Sequence, residues 1–405
     1  MIDLLNEILA TLRHNKLRTA LTGFAVSWGI FLLIVLLSVS RGLVNGMESM
    51  FGKRDTESMT IYGGWANKPY HGLKEDRPIE LRDKSIEVLT VQNPEYIRDA
   101  SANLSSDSTV ISTSKDYITG GYQGVYPSTQ RFEGLTIAEG RFINDSDIRE
   151  GRKVIVLHKN NADMLFGREY PIGKQVRVGD LSFTVVGIYD HEWQKASYIP
   201  FSTARNMSGG SDRLRRITVG LRNVKDQQSS DKAERSVRET LGRQLQFDPD
   251  DESALWLWNR FSDYLRTSSA MGAIGLAVWV IGLLTMLSGI VGVSNIMFVS
   301  VRERTHEIGV KRAIGARPLS ILKQIILESV AITTIFGYVG IVAGVITSQV
   351  ISHYVGESDF FKNPTVDIAI AIQVTFVLIL AGAFAGLFPA LKSLKIKPVE
   401  ALRDE

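Results

Sequence analysis

The sequence predicts an α-helical membrane protein with four transmembrane helices and a large α+β extracytoplasmic domain between the first and the second. Three observations predict it. Four apolar stretches are each long enough to cross a bilayer, which takes about 20 mostly apolar residues. The 405-residue chain is apolar towards its two ends and polar in its middle. Basic residues gather in alternate connections between the apolar stretches, as four crossings require.

The first run, residues 19–40 (TALTGFAVSWGIFLLIVLLSVS), carries no charge. It is longer than the apolar core of about 7–15 residues in a cleavable secretory signal, so it reads as a retained anchor over 19–41. Residues 1–18 before it read as a cytoplasmic amphipathic helix. The second run lies between Arg266 and Arg302, the third follows Glu328, and the fourth follows Asp367. The predicted spans are 251–301 (a stalk together with the second span), 319–352 and 368–391.

Arg13, Lys16 and Arg18 precede the first run, and Lys392, Lys395, Lys397 and Arg403 follow the fourth. The segment 302–318 and the start of the third helix hold Arg302, Arg304, Lys311, Arg312, Arg317 and Lys323. The connection 353–367 instead holds Glu357, Asp359 and Asp367 against Lys362. Positive charge marks the cytoplasmic side. Both ends and 302–318 are therefore expected in the cytoplasm, with 42–250, 353–367 and the stalk outside it and 392–405 as a cytoplasmic tail. From Arg302 to Glu328 there are nine ionised groups. Burying them at the bilayer centre would cost about 20–30 kcal/mol, so this segment sits in water or against a protein.

Residues 42–250 read as mixed α and β. Alternation marks strands at KVIVL (153–157), QVRVG (175–179), LSFTVVGIYD (181–190) and RRITVGL (215–221), with Gly167, Gly173 and Gly179 at turns. The stretch NVKDQQSSDKAERSVRETLGRQLQ reads as a loop and a surface helix. No proline interrupts residues 251–301, so a helix of about 75 Å is expected there, far more than the roughly 30 Å of hydrocarbon. Asp248, Asp250, Asp251 and Glu252 suit its N-terminus better than a Ca²⁺ site. Trp256, Trp258, Phe261 and Tyr264 are expected at the membrane interface or packed on the outer domain or a second stalk.

The search for catalytic chemistry is negative. There is no cysteine, the six histidines are scattered, and no His-Glu pair has a second His at zinc-protease spacing. No G-x-S-x-G elbow and no G-x-x-x-x-G-K-[ST] phosphate loop occurs in these residues. No metal site is expected, and the net charge of +3 argues against nucleic acid as a partner. Within the four runs no buried carboxylate or lysine is expected, which weighs against ion-driven transport. Glycines permit close helix packing, or pairing of two chains: Gly282, Gly289 and Gly292 in the second span, Gly340 and Gly344 in the third, Gly382 and Gly386 in the fourth.

The segment VRERTHEIGVKRAIGARPLSILKQIILESV (301–330) breaks the apolar pattern. It reads as a short amphipathic helix along the membrane, with Glu307 and Lys311 as a favourable i, i+4 pair. Gly315 is placed to end that helix and Pro318 to open the next. By composition alone it suits a docking handle for another protein and a helix resting on the lipid surface equally well.

These residues resemble the FtsX/MacB-type permeases of ABC transporters. RERTHEIGVKRAIGA resembles their cytoplasmic loop, and LATLRHNKLRTALT their entry into the first span. LTIAEGRFINDSDIREGRKVIVL and FGREYPIGKQVRVGDLSFTVVGIYD resemble their extracytoplasmic core domain, and LKSLKIKPVEALRDE their C-terminal end. The resemblance covers both ends and about half of the outer domain, and is weak over residues 55–130. It implies a bacterial inner-membrane permease without catalytic residues, working as a pair of copies with a separate ATPase subunit that binds ATP and Mg. It places Arg304, Glu307, Ile308, Gly309, Lys311 and Arg312 in the ATPase-docking coupling helix, closed by Gly315. It implies transmission of force to the outer domain for efflux or export, with lipoprotein release and control of cell-wall hydrolases as other outcomes. The size of the outer domain favours the efflux arrangement, with a periplasmic adaptor and an outer-membrane channel as partners. The competing reading is a membrane-anchored receptor or scaffold without ATPase coupling.

Overall fold

The computed structural model describes residues 16–52, 54–192, 194–355, 361–365 and 368–394. Most of the expected entry helix (1–18) and tail (392–405), and part of the connection 353–367, lie outside the described residues. The chain forms two compact units, Met50–Ser268 and Met1–Ser49 with Ser269–Glu405.

Along the chain, helix α1 (Lys16–Gly52) is followed by β1 (Ser58–Gly63), β2 (Trp65–Ala66), β3 (Arg77–Pro78), β4 (Leu81–Arg82), α2 (Asp83–Gln92), β5 (Ile97–Ser112) and β6 (Tyr117–Val125). Then come α3 (Thr129–Glu133), β7 (Thr136–Gly140), α4 (Asp145–Arg149), β8 (Val154–His158), α5 (Lys159–Phe166), β9 (Gln175–Val178) and β10 (Leu181–Asp190). Next are β11 (Ser197–Pro200), α6 (Phe201–Met207), β12 (Arg213–Leu214), β13 (Arg216–Leu221), α7 (Gln227–Leu245) and β14 (Leu255–Asn259). The chain continues through α8 (Arg260–Glu303), α9 (Thr305–Ala313), α10 (Pro318–Val355) and α11 (Ile368–Ser393).

The unit Met50–Ser268 is built on one ten-stranded mixed sheet in the order β14-β1-β13-β5-β6-β11-β8-β10-β7, with β9 beside β10 and β5. The 16-residue β5 joins its two halves, pairing with β13 over residues 97–103 and with β6 over residues 104–112. Strand β8 is buried along its whole length, as a central strand covered on both faces must be. Helix α7 starts where the Asp226 carboxylate accepts the Ser229 N–H at 2.8 Å, a capping box that satisfies the free N–H groups of the first turn. Its Ala233, Val237 and Leu241, spaced by four residues, are fully buried in the same core as Met59, Ile217 and Leu255.

The expected helix over 251–301 begins later than its sequence suggests. Residues 255–259 (LWLWN) form β14, paired with β1 so that Leu255 stands opposite Gly63 and Trp258 opposite Thr60. Leu255 and Asn259 point inward while Trp256 and Trp258 are exposed, a two-residue period that no helix shows. The acidic cluster is likewise not a helix start. Asp251 is buried and accepts the N–H groups of Asn67 (2.7 Å) and Lys68 (3.1 Å), holding the loop after β2. Helix α8 follows with 44 residues, about 66 Å at 1.5 Å per residue. Its first residue, Arg260, is buried against Glu133, which also pairs with Arg216 at 3.1 Å.

In the second unit, α1, α8, α10 and α11 are long and apolar enough to cross a membrane, by length and composition. Glycine sets their spacing. A Cβ at Gly340 or Gly344 would collide with α1, at the Ser27 carbonyl oxygen and at Ile34, while Gly282 meets Leu33 and Gly289 the backbone of Val26. Gly382 and Gly386 lie against Val330 and Ser329 of α10. Gly292 is half-buried. Outward-facing Leu276, Leu284, Val291, Phe376 and Phe388 are exposed, as apolar side chains in contact with lipid would be.

Candidate functional site

The short helix α9 is made by local chemistry. At Arg304 the backbone leaves the helical path (φ −98°, ψ 19°), separating α8 from α9. Hydrogen bonds continue across the bend, from Arg304 N–H to Ser300 O and from Ile308 N–H to Arg304 O. Glu307 lies in the first turn of α9 and Lys311 and Arg312 in the last, each at the end whose partial charge it complements. Gly315 follows at φ +99°, a left-handed value that costs glycine least. Ala316 N–H then donates to Lys311 O, and Pro318 opens α10.

The helix has two sides. Ile308 and Gly309 are buried, and Ile308 packs in one cluster with Met297, Val301, Ile321 and Ile325. Beneath it lies a cavity of ≈ 30 Å³ lined partly by Arg304, Glu307, Lys311, Gln324 and Glu328, about the volume of a single water molecule. The outer side carries His306, Glu307, Lys311 and Ala313, all exposed. Ile314, 82% exposed, and Leu319, 68% exposed, lie near them in the chain.

An ion pair and a hydrogen bond fasten this segment. Arg304 Nη1 lies 3.4 Å from Glu328 Oε1, whose side chain is 7% exposed. Glu328 is therefore a buried carboxylate in α10, standing immediately before the apolar run that follows it. Its charge is tolerated because a guanidinium faces it. Arg312 Nη1 donates to the Leu394 carbonyl at 3.0 Å, tying α9 to the end of α11. Nearby, the Phe298 ring is approached by the Arg302 guanidinium (5.1 Å) and the Lys392 ammonium (4.2 Å), a cation–π arrangement that gathers basic groups at one end of the bundle.

Of the residues the sequence singles out, Glu307, Lys311 and Gly315 stand on the open side and Ile308 and Gly309 on the packed side. Arg304 and Arg312 brace the helix. Sequence reasoning missed Ile314 and Leu319 on the open side and Glu328 as the buried partner of Arg304. The Glu328 signal was its spacing: a lone carboxylate about three turns into an otherwise apolar helix, opposite a basic segment. Among the described residues no three His, Asp or Glu side chains come together as metal ligands.

Residues 19–240 match the MacB-like periplasmic core domain, and residues 279–398 the FtsX-like permease C-terminal domain. The macrolide export ATP-binding/permease protein MacB of Chromobacterium violaceum is 27% identical over 403 residues, covering 96% of this chain and 59% of that protein. The protein of the same description from Bdellovibrio bacteriovorus is 25% identical and covers 100% of this chain and 62% of its own length. This chain thus spans about three fifths of the length of the curated relatives it matches. The periplasmic region of MacB from Actinobacillus actinomycetemcomitans, a solved structure, is 22% identical with a TM-score of 0.44, covering 54% of this chain and 95% of that one. With more than half of its residues in the first of these domains and its last helices in the second, the chain belongs to the MacB-like periplasmic core domain family, joined to an FtsX-like permease domain, among the permeases of ABC transporters.

Proposed function

We propose that the chain is the membrane-embedded, non-catalytic part of an ABC transporter, gripped by an ATPase at α9. In this reading it lies in the bacterial inner membrane with residues 50–268 on the outer face. The observation that carries the reading is the two-sided helix. Ile308 and Gly309 hold α9 to the bundle, while Glu307, Lys311, Ile314 and Leu319 face outward. Exposed apolar residues beside fixed charges suit a protein groove, since water gains nothing from them.

ATP and Mg are held by the ATPase; these 405 residues contain no phosphate loop of the G-x-x-x-x-G-K-[ST] type. Closure of two ATPase domains displaces α9. The unbroken α8, 44 residues long, carries that displacement into the outer unit. The outcome is export or efflux of a substrate, in keeping with relatives named for macrolide export. A second copy of the chain, a periplasmic adaptor and an outer-membrane channel complete this reading.

The test is co-purification of the detergent-solubilised chain with an ABC ATPase, with and without a non-hydrolysable nucleotide. The native chain is expected to retain the ATPase. The double variant Glu307→Ala/Ile314→Asp is expected to lose it while keeping its thermal transition. Equal retention by the variant, or no ATPase on either chain, overturns the reading and favours a receptor or scaffold.

A further inference from the structure

We infer that the outer edge of β6, residues 117–121, docks an extended segment of a partner protein that carries an acidic residue. The pairing of the hairpin creates this edge. Thr113 N–H donates to Asp116 O at 2.8 Å where the hairpin closes. Opposed residues in an antiparallel pair alternate between hydrogen-bonded and non-bonded. Counted from that closing pair, Ile111 and Ile118 exchange bonds, while Tyr117 and Thr119 stand in non-bonded pairs with Ser112 and Val110. The Val110 carbonyl confirms the parity, since it turns the other way and accepts from Gly179 N–H at 3.1 Å. Tyr117 and Thr119 therefore direct their N–H and C=O groups away from β5. On that side β11 pairs with β6 only from Tyr122 onward. Beside Tyr117 and Thr119 no strand lies among the described residues.

A groove of ≈ 540 Å³ lies there instead, lined partly by Asn161 and Met164 of α5 and by residues 195–197. Three features suit it to a second backbone. A Cβ at Gly120 would have nothing within 4 Å, so another chain can approach closely. Ser197, 1% exposed, lines the groove, and its hydroxyl has no partner among the described residues. Tyr117, 72% exposed, and Met164, 60% exposed, also line it. Natural sheets blunt exposed edges with charge, proline or a covering element, yet YITGG (117–121) has no charge and no proline. Addition of a strand satisfies such an edge through main-chain hydrogen bonds. Lys195 is the one charged residue lining the groove among the described residues, which selects an acidic side chain on the incoming segment. This inference concerns the outer unit alone and does not rest on ATPase coupling.

The experiment pans a displayed library of linear peptides of about twelve residues against the full chain in detergent. Binding and amide hydrogen exchange are then measured with the enriched peptides. Enrichment of acidic, strand-forming sequences that slow exchange over 117–121 is expected. Thr119→Pro removes one edge-facing N–H without touching a bond to β5, and is expected to weaken binding about tenfold or more. Thr119→Val keeps that N–H and is expected to bind within about twofold of native. Gly120→Phe, whose side chain has open space before it, blocks the groove independently should the proline variant fail to fold. No enriched peptide, or peptides that bind Gly120→Phe as tightly as native, overturns the inference.

Discussion

Arg304 and Glu328 form an ion pair at 3.4 Å between the residue that starts the short helix and the third turn of α10. One partner brackets the loop and the other is nearly sealed from solvent. Removing one member of a buried pair leaves an uncompensated charge, a loss of about 3–5 kcal/mol, whereas replacing both with apolar residues of similar volume is close to neutral. Glu328→Ala is therefore expected to lower the melting temperature in detergent more than Arg304→Met/Glu328→Leu does. A double variant as unstable as the single one would show that the pair is not the source of the stability.

Ile308 and Ile314 separate packing from docking. Ile308→Ala empties a buried site and is expected to cost about 2–5 kcal/mol. Ile314→Ala removes an exposed side chain and is expected to change stability by no more than about 0.5 kcal/mol. Thermal unfolding of the two variants side by side decides it. Equal losses would mean that Ile314 is covered within the chain.

The glycine contacts predict a position-dependent effect. Gly340→Val drives a side chain into α1 at Ser27 and is expected to destabilise by about 1–3 kcal/mol or abolish folding. At Gly275 a Cβ meets nothing within 4 Å. Gly275→Ala is expected to be neutral or to stabilise by up to about 1 kcal/mol through helix propensity. Folded yield and melting temperature report both.

Asp147 gives the unit Met50–Ser268 an acid sensitivity. Its side chain is fully buried, and burial alone would raise its pKa. The Arg141 guanidinium at 2.6 Å and the Asn144 N–H outweigh that and hold the carboxyl below the usual range. A depressed folded-state pKa adds stability above the unfolded value of about 3.9, which is lost as pH falls through the folded value. Native protein is expected to lose stability progressively below about pH 4. Asp147→Asn is expected to be less stable at neutral pH and to show a shallower acid loss. Melting temperature followed against pH tests this; parallel curves for the two proteins would exclude Asp147 as the origin.

Much of the architecture was legible in the chain. The strands at 175–178 and 181–190 match alternating patterns, because a sheet with one covered face writes its period into neighbouring residues, whereas those at 154–158 and 216–221, buried almost throughout, are legible as short apolar runs. Gly315 and Pro318 marked the ends of adjoining helices because the left-handed turn and the fixed proline φ are local demands. Strand β14 was not legible: LWLWN sits directly before an apolar helix and shares its composition. Only the pairing of Leu255 and Trp258 with β1 fixes its period.

By itself the sequence determined four apolar helices, a basic break at 302–318 and the absence of a phosphate loop from these residues, since each follows from the chemistry of adjacent side chains. Only the tertiary structure decided which side of the short helix faces the bundle, that Glu328 is buried against Arg304, and that β6 keeps an uncovered edge. The physical reason is the same in each case. Burial and pairing depend on contacts between residues far apart in the chain: Ile308 with Ile325, Arg304 with Glu328, and β6 with a β11 that reaches it only from Tyr122. No local pattern encodes which of several apolar or charged residues will meet.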